Sequence, residues 1–409
     1  MRKEATEILK CPITNDSEFI NYFNMGEFPL VNNLNPSREE SINCKKYPLS
    51  INLFKKSKLS VLTHVIDGNL LFKNYYFKSE VNVPYIEHCK SMFEHIQNII
   101  DLKDNDFVID IGGNDGTLLN TFKSVSSKKL KYLNIDPSQN LAKLSEEKGI
   151  PVLNEFFSLE IAKKVGGNVK VVTSTNVFQH LRDTNSFVEG VYHLLDDDGV
   201  WILEFPYWIH DLETNQFDQI YHEHVYYYSI LPLKIMMEKH GLKIIKAQSE
   251  SIHGGTIRLV IVKKESKLKP DDSIHYFLNY EKRFDIDYYE NWGVKLKNHL
   301  DRCKEIIFNL KKEGKHIAAF GAAAKGCIFL NALNITYEQI DFIIDDTDIK
   351  QGKYMPGTGI EIVSREFVKD KKIDYIVILA HNFADYIIGS FDKEYDGKFI
   401  VFLPEIKII

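Results

Sequence analysis

The chain has 409 residues, of which 44% are hydrophobic and 12% aromatic, and a net charge of −6 at neutral pH. That supplies the cores of two or three domains, and the negative balance argues against a sequence-blind nucleic-acid binder. No apolar run approaches the roughly 20 residues that cross a bilayer, the opening MRKEATEILKCPIT lacks the apolar stretch of a secretory signal, and five cysteines with no close pairing suit a reducing compartment. The expectation is a soluble cytoplasmic protein with neither membrane nor nucleic-acid partner.

Residues 1–84 read as a small, irregular, strand-poor domain, because short apolar runs alternate with Pro, Asn and Ser (MGEFPLVNNLNPS, KKYPLSINLF). Such a domain often leans on a metal. Cys11 opens Cys-Pro-Ile-Thr, where a zinc module would place a second cysteine at Thr14. No Cys-x-x-Cys pair occurs anywhere, so a structural zinc is not expected. Tyr75 and Tyr76 close this region and suit either a core or a ligand wall.

A helix is predicted from Val83 to about Leu102, with Ile86, Met92, Phe93, Ile96, Ile99 and Ile100 near helical spacing. The buried strand Phe107–Ile111 then runs into Gly112-Gly113-Asn114-Asp115-Gly116 and a helix start. Glycines there allow a sharp turn and close approach to a nucleoside. The order Asp110-x-Gly112-x-Asn114-x-Gly116 is not the G-x-G-x-x-G of a dinucleotide site. Carboxylates at 110 and 115 match a pyrophosphate poorly and suit a cationic ligand with an amino acid moiety, such as S-adenosylmethionine. A second strand, Tyr132–Asp136, ends on a carboxylate about twenty residues on, the position that holds ribose hydroxyls in nucleoside-binding α/β folds.

A third strand, Val169–Ser174, leads into Thr175-Asn176-Val177-Phe178-Gln179-His180. His180 suits a proton-transfer role near the cofactor, and equally a helix cap. The apolar run Val200–Leu203 reads as a strand buried on both faces, with Glu204 at its carboxyl end, where ligands gather in open α/β sheets. Tyr221-His222-Glu223-His224 follows. Two imidazoles, a carboxylate and a phenol make a workable acid–base set near neutral pH. In an extended segment His222 and His224 would share a face, with Tyr221 and Glu223 on the other. A polar capping loop with satisfied histidines accounts for the same residues.

After a charged, helical stretch over 266–313, a second α/β unit begins. Strand His316–Phe320 meets Gly321-Ala322-Ala323-Ala324-Lys325-Gly326, a small-residue turn that suits a phosphate, or else tight strand–helix packing. Polar loops follow two further strands, one carrying Tyr354 and one carrying His381 and Asn382. The fold class is thus α/β: two nucleotide-fold units with a small N-terminal cap.

The blocks IDIGGNDGTLL, IDPSQNLA, QHLRD, EFPYWIHDL, FDQIYHEHVYYYS, IHGGTIRL, FGAAAKG, DDTDIKQGKYMPG and LAHNFAD together resemble the S-adenosylmethionine-dependent sugar C-methyltransferases, which act on nucleotide-linked keto-deoxysugars. The resemblance runs over nearly the whole chain. It implies a metal-binding N-terminal domain (1–84), a Rossmann-like methyltransferase core (85–265) and a C-terminal Rossmann-like domain (266–409) that helps hold the nucleotide sugar. It implies cofactor contacts from Asp110, Gly112, Asn114, Gly116, Asp136 and Asn176. It makes His224 the base beside the ketone, with Tyr221, Glu223, His180 and Tyr76 around it, and places Glu204, His222, Gly321, Lys325 and Tyr354 on the substrate. The implied reaction removes the acidic proton next to a 4-keto group and methylates the enolate carbon. Oxygen methylation of a nucleotide sugar or surface-glycan precursor, and a non-catalytic family member, are the rival readings. A monomer is expected. Two departures stand out: Thr14, and Phe54-Lys55-Lys56-Ser57 where the second cysteine pair belongs, so zinc is expected to be lost; and His381 in place of a usual tryptophan.

Overall fold

A computed structural model describes residues 4–71, 83–391 and 395–409. Tyr75 and Tyr76 lie outside the described residues. Among the described residues no helix is long and apolar enough to cross a membrane.

The central sheet has seven strands in the spatial order Leu242–Glu250, Thr256–Lys263, Leu195–Pro206, Val169–Thr175, Phe107–Ile111, Lys131–Ile135, Val152–Leu153. Thr256–Lys263 runs antiparallel to both its neighbours, and the pairs among the last five strands are parallel. Buried parallel strands carry apolar residues on both faces. Here alternate residues divide between two clusters: Ile109, Val172, Trp201 and Leu203 join one, while Val108, Val171, Val200 and Ile202 join the other. Strand order reverses between Phe107–Ile111 and Val169–Thr175. The loops leaving those two strands therefore diverge and open a crevice at their carboxyl ends. Gly112–Gly116 and Asn176–His180 occupy those loops.

The C-terminal sheet repeats the device. Its order is Ile362–Val363, Ile343–Ile344, Ile317–Phe320, Tyr375–Ile378, Lys398–Val401, Lys407–Ile408, with only the last strand antiparallel. The reversal falls between Ile317–Phe320 and Tyr375–Ile378, so the start of helix Ala324–Ala332, which carries Lys325, and the turn His381–Phe383 are neighbours. Two helices, Asp272–Glu281 and Ile286–Lys312, join the sheets. Glu281 also caps a helix it does not belong to. Its carboxylate accepts from the backbone N–H groups of Ile230 (2.6 Å) and Leu231 (3.0 Å) and from the Tyr207 hydroxyl (2.8 Å). Helix Ile230–Lys239 has no side-chain bond from its own cap residue, Ser229, so Glu281 satisfies donors that would otherwise be orphaned.

The N-terminal region is not strand-poor. Phe19–Pro29, Lys46–Phe54 and Ser60–Leu62 form an antiparallel sheet. The breakers that suggest loops are absorbed. Bulges flank Phe23 and Gly26. Pro48 pairs with Glu27 on one side, while Ser60–Leu62 covers only Ile51–Leu53 on the other, so the missing N–H of Pro48 breaks no ladder there. The fourth strand of this sheet is Tyr226–Tyr227, which pairs with Ser60 and Val61. The segment just after the His-Glu-His block is thereby tied to the N-terminal sheet.

Two turns, Cys11–Asn15 and Phe54–Lys58, are each closed by a backbone bond of 2.9 Å. They face one another, with Cys11 Sγ 3.2 Å from Ser57 Oγ, both buried. Phe54 is buried and packs edge-on against Phe19, and Thr14 donates to Asp16. One thiol, two hydroxyls and an apolar ring do not fit a four-cysteine zinc centre, which needs thiolate or imidazole donors.

Candidate functional site

The His-Glu-His block is a turn, not a strand. The backbone N–H of His224 donates to Tyr221 O at 2.9 Å, which brings positions i and i+3 together. The expectation that His222 and His224 share a face is therefore overturned. Tyr221 and His224 meet, with ring centroids 4.0 Å apart. His222 turns the other way, its Nε2 3.3 Å from Tyr47 O and its ring edge-on to Tyr47.

Hydrogen bonds fix the His224 tautomer. Nδ1 lies 3.0 Å from Gln219 O. A carbonyl only accepts, so Nδ1 carries the proton and Nε2 holds the lone pair. The Tyr221 hydroxyl donates to Nε2 at 2.7 Å. Burial holds His224 well below the usual imidazole range, with His180 and Lys325 adding to the effect. The ring is thus neutral, as a base must be. His180 lies beside it, ring centroids 4.8 Å apart. Its Nδ1 donates to Glu223 O at 2.7 Å, and burial pushes it down to about 4. The Glu223 side chain accepts from Asn32 Nδ2 at 2.7 Å, and burial raises its carboxyl to about 7.

That shift sets a stability prediction. A folded-state value near 7, above the ordinary 4.5, means the fold favours the protonated acid. The contribution is complete below the unfolded value and is lost as pH rises through 7. Glu223→Gln is therefore expected to gain on wild type between pH 5 and pH 8, by on the order of a few kcal/mol. Denaturant unfolding at both pH values checks it; a gap that does not change with pH would sink the assignment.

The cofactor-type residues form a separate group at the crevice. Asp110 is buried, accepts from Thr173 Oγ1 at 2.7 Å, and is raised to about 7 mainly by burial. Asp136 accepts from the N–H groups of Asn114 (2.9 Å) and Ser138 (2.8 Å), while burial raises its carboxyl. Asn114 and Asn176 adopt positive φ, and Asn176 N bonds Glu204 O at 2.9 Å. Gly112 has φ +73°, and a Cβ there would sit 2.2 Å from Val177 Cγ2. This turn suits an S-adenosyl ligand: glycines at positive φ let the backbone turn sharply beside two buried carboxylates, Asp110 and Asp136. Gly112→Ala is expected to weaken S-adenosylmethionine binding at least about tenfold, since backbone strain and steric overlap each cost of order 1–3 kcal/mol. Calorimetry reads it; unchanged affinity would place the cofactor elsewhere.

Other candidate residues go to other partners. Glu204, fully buried, accepts from Arg258 Nε at 2.5 Å and pairs with His88 Nε2 at 2.8 Å. Burial works to raise its carboxyl, but His88 and Arg258 outweigh that and hold it below the usual range. Tyr354 is backbone-paired with Asn35 (2.8 and 3.1 Å), joining the C-terminal domain to the N-terminal region. Gly321 has φ +100°, and the adjacent Ala322 N–H donates to Asp345 Oδ2 at 2.7 Å. Lys325 reaches back to the core, 3.5 Å from Gln216 Oε1. Sequence reasoning missed Asn32, Arg258, His88 and Gln219. For Arg258 a signal existed: a guanidinium inside the apolar strand Thr256–Lys263 demands a buried carboxylate.

Residues 86–247 match the family model of a methyltransferase domain, and residues 251–404 match that of a C-methyltransferase C-terminal domain. The chain is 28% identical over 418 residues to the C-methyltransferase NovU of Streptomyces niveus, covering 100% of this chain and 99% of that protein. Among solved structures, magnesium protoporphyrin IX methyltransferase of Synechocystis PCC 6803 with bound SAM aligns at a TM-score of 0.35 and 13% identity, over 48% of this chain and 89% of its own. A SAM-dependent methyltransferase of Aquifex aeolicus aligns at a TM-score of 0.32 and 14% identity, over 43% and 97%.

Proposed function

We propose that this chain is an S-adenosylmethionine-dependent C-methyltransferase and that it methylates the ring carbon next to the ketone of a nucleotide-linked 4-keto-deoxysugar; its matches to a methyltransferase domain and to a C-methyltransferase C-terminal domain, and its likeness along the whole chain to a C-methyltransferase, support the reading. The observation that carries this reading is the neutral His224 with its lone pair on Nε2, aimed at the Tyr221 hydroxyl. A carbon beside a ketone becomes nucleophilic only when its proton leaves, and a neutral imidazole is the base for that step.

Tyr221 and His224 act as a pair. In the structure the phenol covers the lone pair of the base. A ketone oxygen arriving beside Tyr221 offers its hydroxyl a second acceptor. Transfer of that hydrogen bond to the developing enolate oxygen uncovers Nε2 at the moment the C–H proton needs it. Holding that oxyanion contributes a few kcal/mol in comparable sites. His180, bonded through Nδ1 to Glu223 O, leaves its own Nε2 unprotonated beside the base. S-adenosylmethionine, when bound, supplies the methyl group, and Asp110, Gly112, Asn114, Gly116, Asp136 and Asn176 would hold it. His222, buried against Tyr47, supports the N-terminal sheet in this account rather than touching substrate. Gly321, Lys325 and Tyr354 remain on the nucleotide side. The protein is taken to act as a monomer.

Calorimetry with S-adenosylmethionine and with a TDP-4-keto-6-deoxysugar, alone and together, tests the proposal, with mass spectrometry of the product. Binding of both and a mass gain of one methyl on the sugar is the expected result. A cofactor that binds with no affinity for any keto sugar would move the acceptor to another class.

A further inference from the structure

The turn that carries the base is held from two domains. The peptide unit entering His224 is bonded at both ends. Its carbonyl, Glu223 O, accepts from His180 Nδ1 at 2.7 Å, and its N–H donates to Tyr221 O at 2.9 Å. The unit leaving His224 donates through Val225 N to Gln179 O at 2.8 Å, and the next carbonyl, Val225 O, accepts from Leu62 N at 3.0 Å. Gln179 and His180 lie in the loop after core strand Val169–Thr175, whereas Leu62 ends a strand of the N-terminal sheet. The N-terminal region makes a further approach that the chemistry above does not use. Asn32 Nδ2 donates to Glu223 Oε1 at 2.7 Å, across 191 positions of sequence. Asn32 sits on a braced turn. It follows strand Phe19–Pro29, and Val31 beside it is buried in the core. Asn33 N bonds Leu30 O at 3.1 Å, and Asn35 is paired with Tyr354 of the C-terminal domain.

We propose that Asn32 is a positioning residue for the base: by holding the Glu223 side chain it fixes the Glu223–His224 peptide, and with it the His224 imidazole and the His180 ring beside it. The inference rests on the reaction proposed above, with His224 as the base. Glu223 joins the two ends of the path. Its buried side chain accepts from Asn32, and its main chain accepts from His180, whose ring centroid lies 4.8 Å from that of His224. A buried acceptor that loses its donor bears the full desolvation of that group, so without Asn32 the Glu223 side chain must move to find another partner. The Cα that bears it heads the peptide running into His224, and a catalytic group held by a loose supporting shell loses its productive geometry. Asn32 takes no proton itself, since an amide does not titrate near neutral pH. The N-terminal domain thus contributes to the reaction through one amide.

The test is steady-state methyl transfer by the full chain from S-adenosylmethionine to a TDP-4-keto-6-deoxysugar, read by mass spectrometry. Asn32→Ala is expected to lower kcat about ten- to a hundredfold, since misplacing a reacting group by about 1 Å can cost of order 10². KM for the keto sugar should stay within about threefold, the signature of a loss felt in the chemical step rather than in binding. Asn32→Ser, which keeps a hydroxyl donor on the same turn, should retain more of kcat than Asn32→Ala. In a Glu223→Ala background the further loss from Asn32→Ala should fall below about threefold, because residues on one path do not add. S-adenosylmethionine affinity and urea unfolding serve as folding controls for each variant. An unchanged kcat in Asn32→Ala, a loss confined to KM, or the same fold loss with the Glu223 side chain already removed overturns the positioning role. A wild type that binds both ligands and transfers no methyl fails the proposed reaction and the positioning role with it. An active wild type with an undiminished Asn32→Ala fails the positioning role alone.

Discussion

Replacing His224 by alanine is expected to lower kcat for methyl transfer by about 10²- to 10⁴-fold, the usual contribution of a positioned general base, while S-adenosylmethionine affinity stays as in wild type. The separation follows from geometry. His224 touches Tyr221, Gln219 and His180, whereas the crevice residues Asp110 and Asp136 bond Thr173, Asn114 and Ser138. His222→Ala is the matched control. That side chain is buried against Tyr47, so its loss should appear in stability rather than in the chemical step. A folded His222→Ala protein that loses as much activity as His224→Ala would mean the base has been misassigned.

Arg258→Ala is expected to destabilise the fold by about 3–5 kcal/mol, because removing one partner of a buried ion pair strands the other. Arg258 is fully buried, with Nε on Glu204 (2.5 Å) and Nη1 on Glu250 (2.9 Å). Once it is gone, Glu204 keeps His88 alone of its two described partners. Arg258→Lys should fare little better, since a single ammonium cannot span two carboxylates in the same geometry. Urea unfolding measures the effect. The double variant Arg258→Met/Glu204→Met should recover much of the loss, as paired buried charges often exchange for apolar groups at little cost. A single-variant loss below about 1 kcal/mol would show that water, not Arg258, stabilises Glu204.

The elements legible in the sequence were those whose signal is local. The runs Phe107–Ile109 and Val200–Leu203 are apolar and each is followed by a carboxylate, Asp110 or Glu204, and such runs read as buried parallel strands from local sequence alone. The Gly-rich turn after Ile111 carried its own explanation in the positive φ of Gly112 and Asn114. The N-terminal sheet was not legible. Its longest strand, Phe19–Pro29, tolerates Asn and Gly through bulges, and its fourth strand is borrowed from residues 226–227, a pairing no local pattern reports. The His-Glu-His block was recognisable as chemistry but not as geometry. Alternation suggested a shared face for His222 and His224, and the turn closed by His224 N and Tyr221 O reversed it. Partners distant in sequence, such as Asn32 for Glu223 or Arg258 for Glu204, are products of tertiary packing that one chain read in order does not display.

The central claim is that a base next to a ketone makes carbon, not oxygen, the nucleophile. Its most direct test is the position of the transferred methyl. The full chain is incubated with S-adenosylmethionine labelled with ¹³C at the methyl and with a TDP-4-keto-6-deoxysugar, and the product is read by carbon–proton correlation NMR. The account predicts a labelled methyl with aliphatic shifts, correlated to a quaternary or methine ring carbon beside the carbonyl, and no such product from His224→Ala. A labelled methyl with the shifts of a methoxy group, correlated to an oxygen-bearing ring carbon, would contradict it.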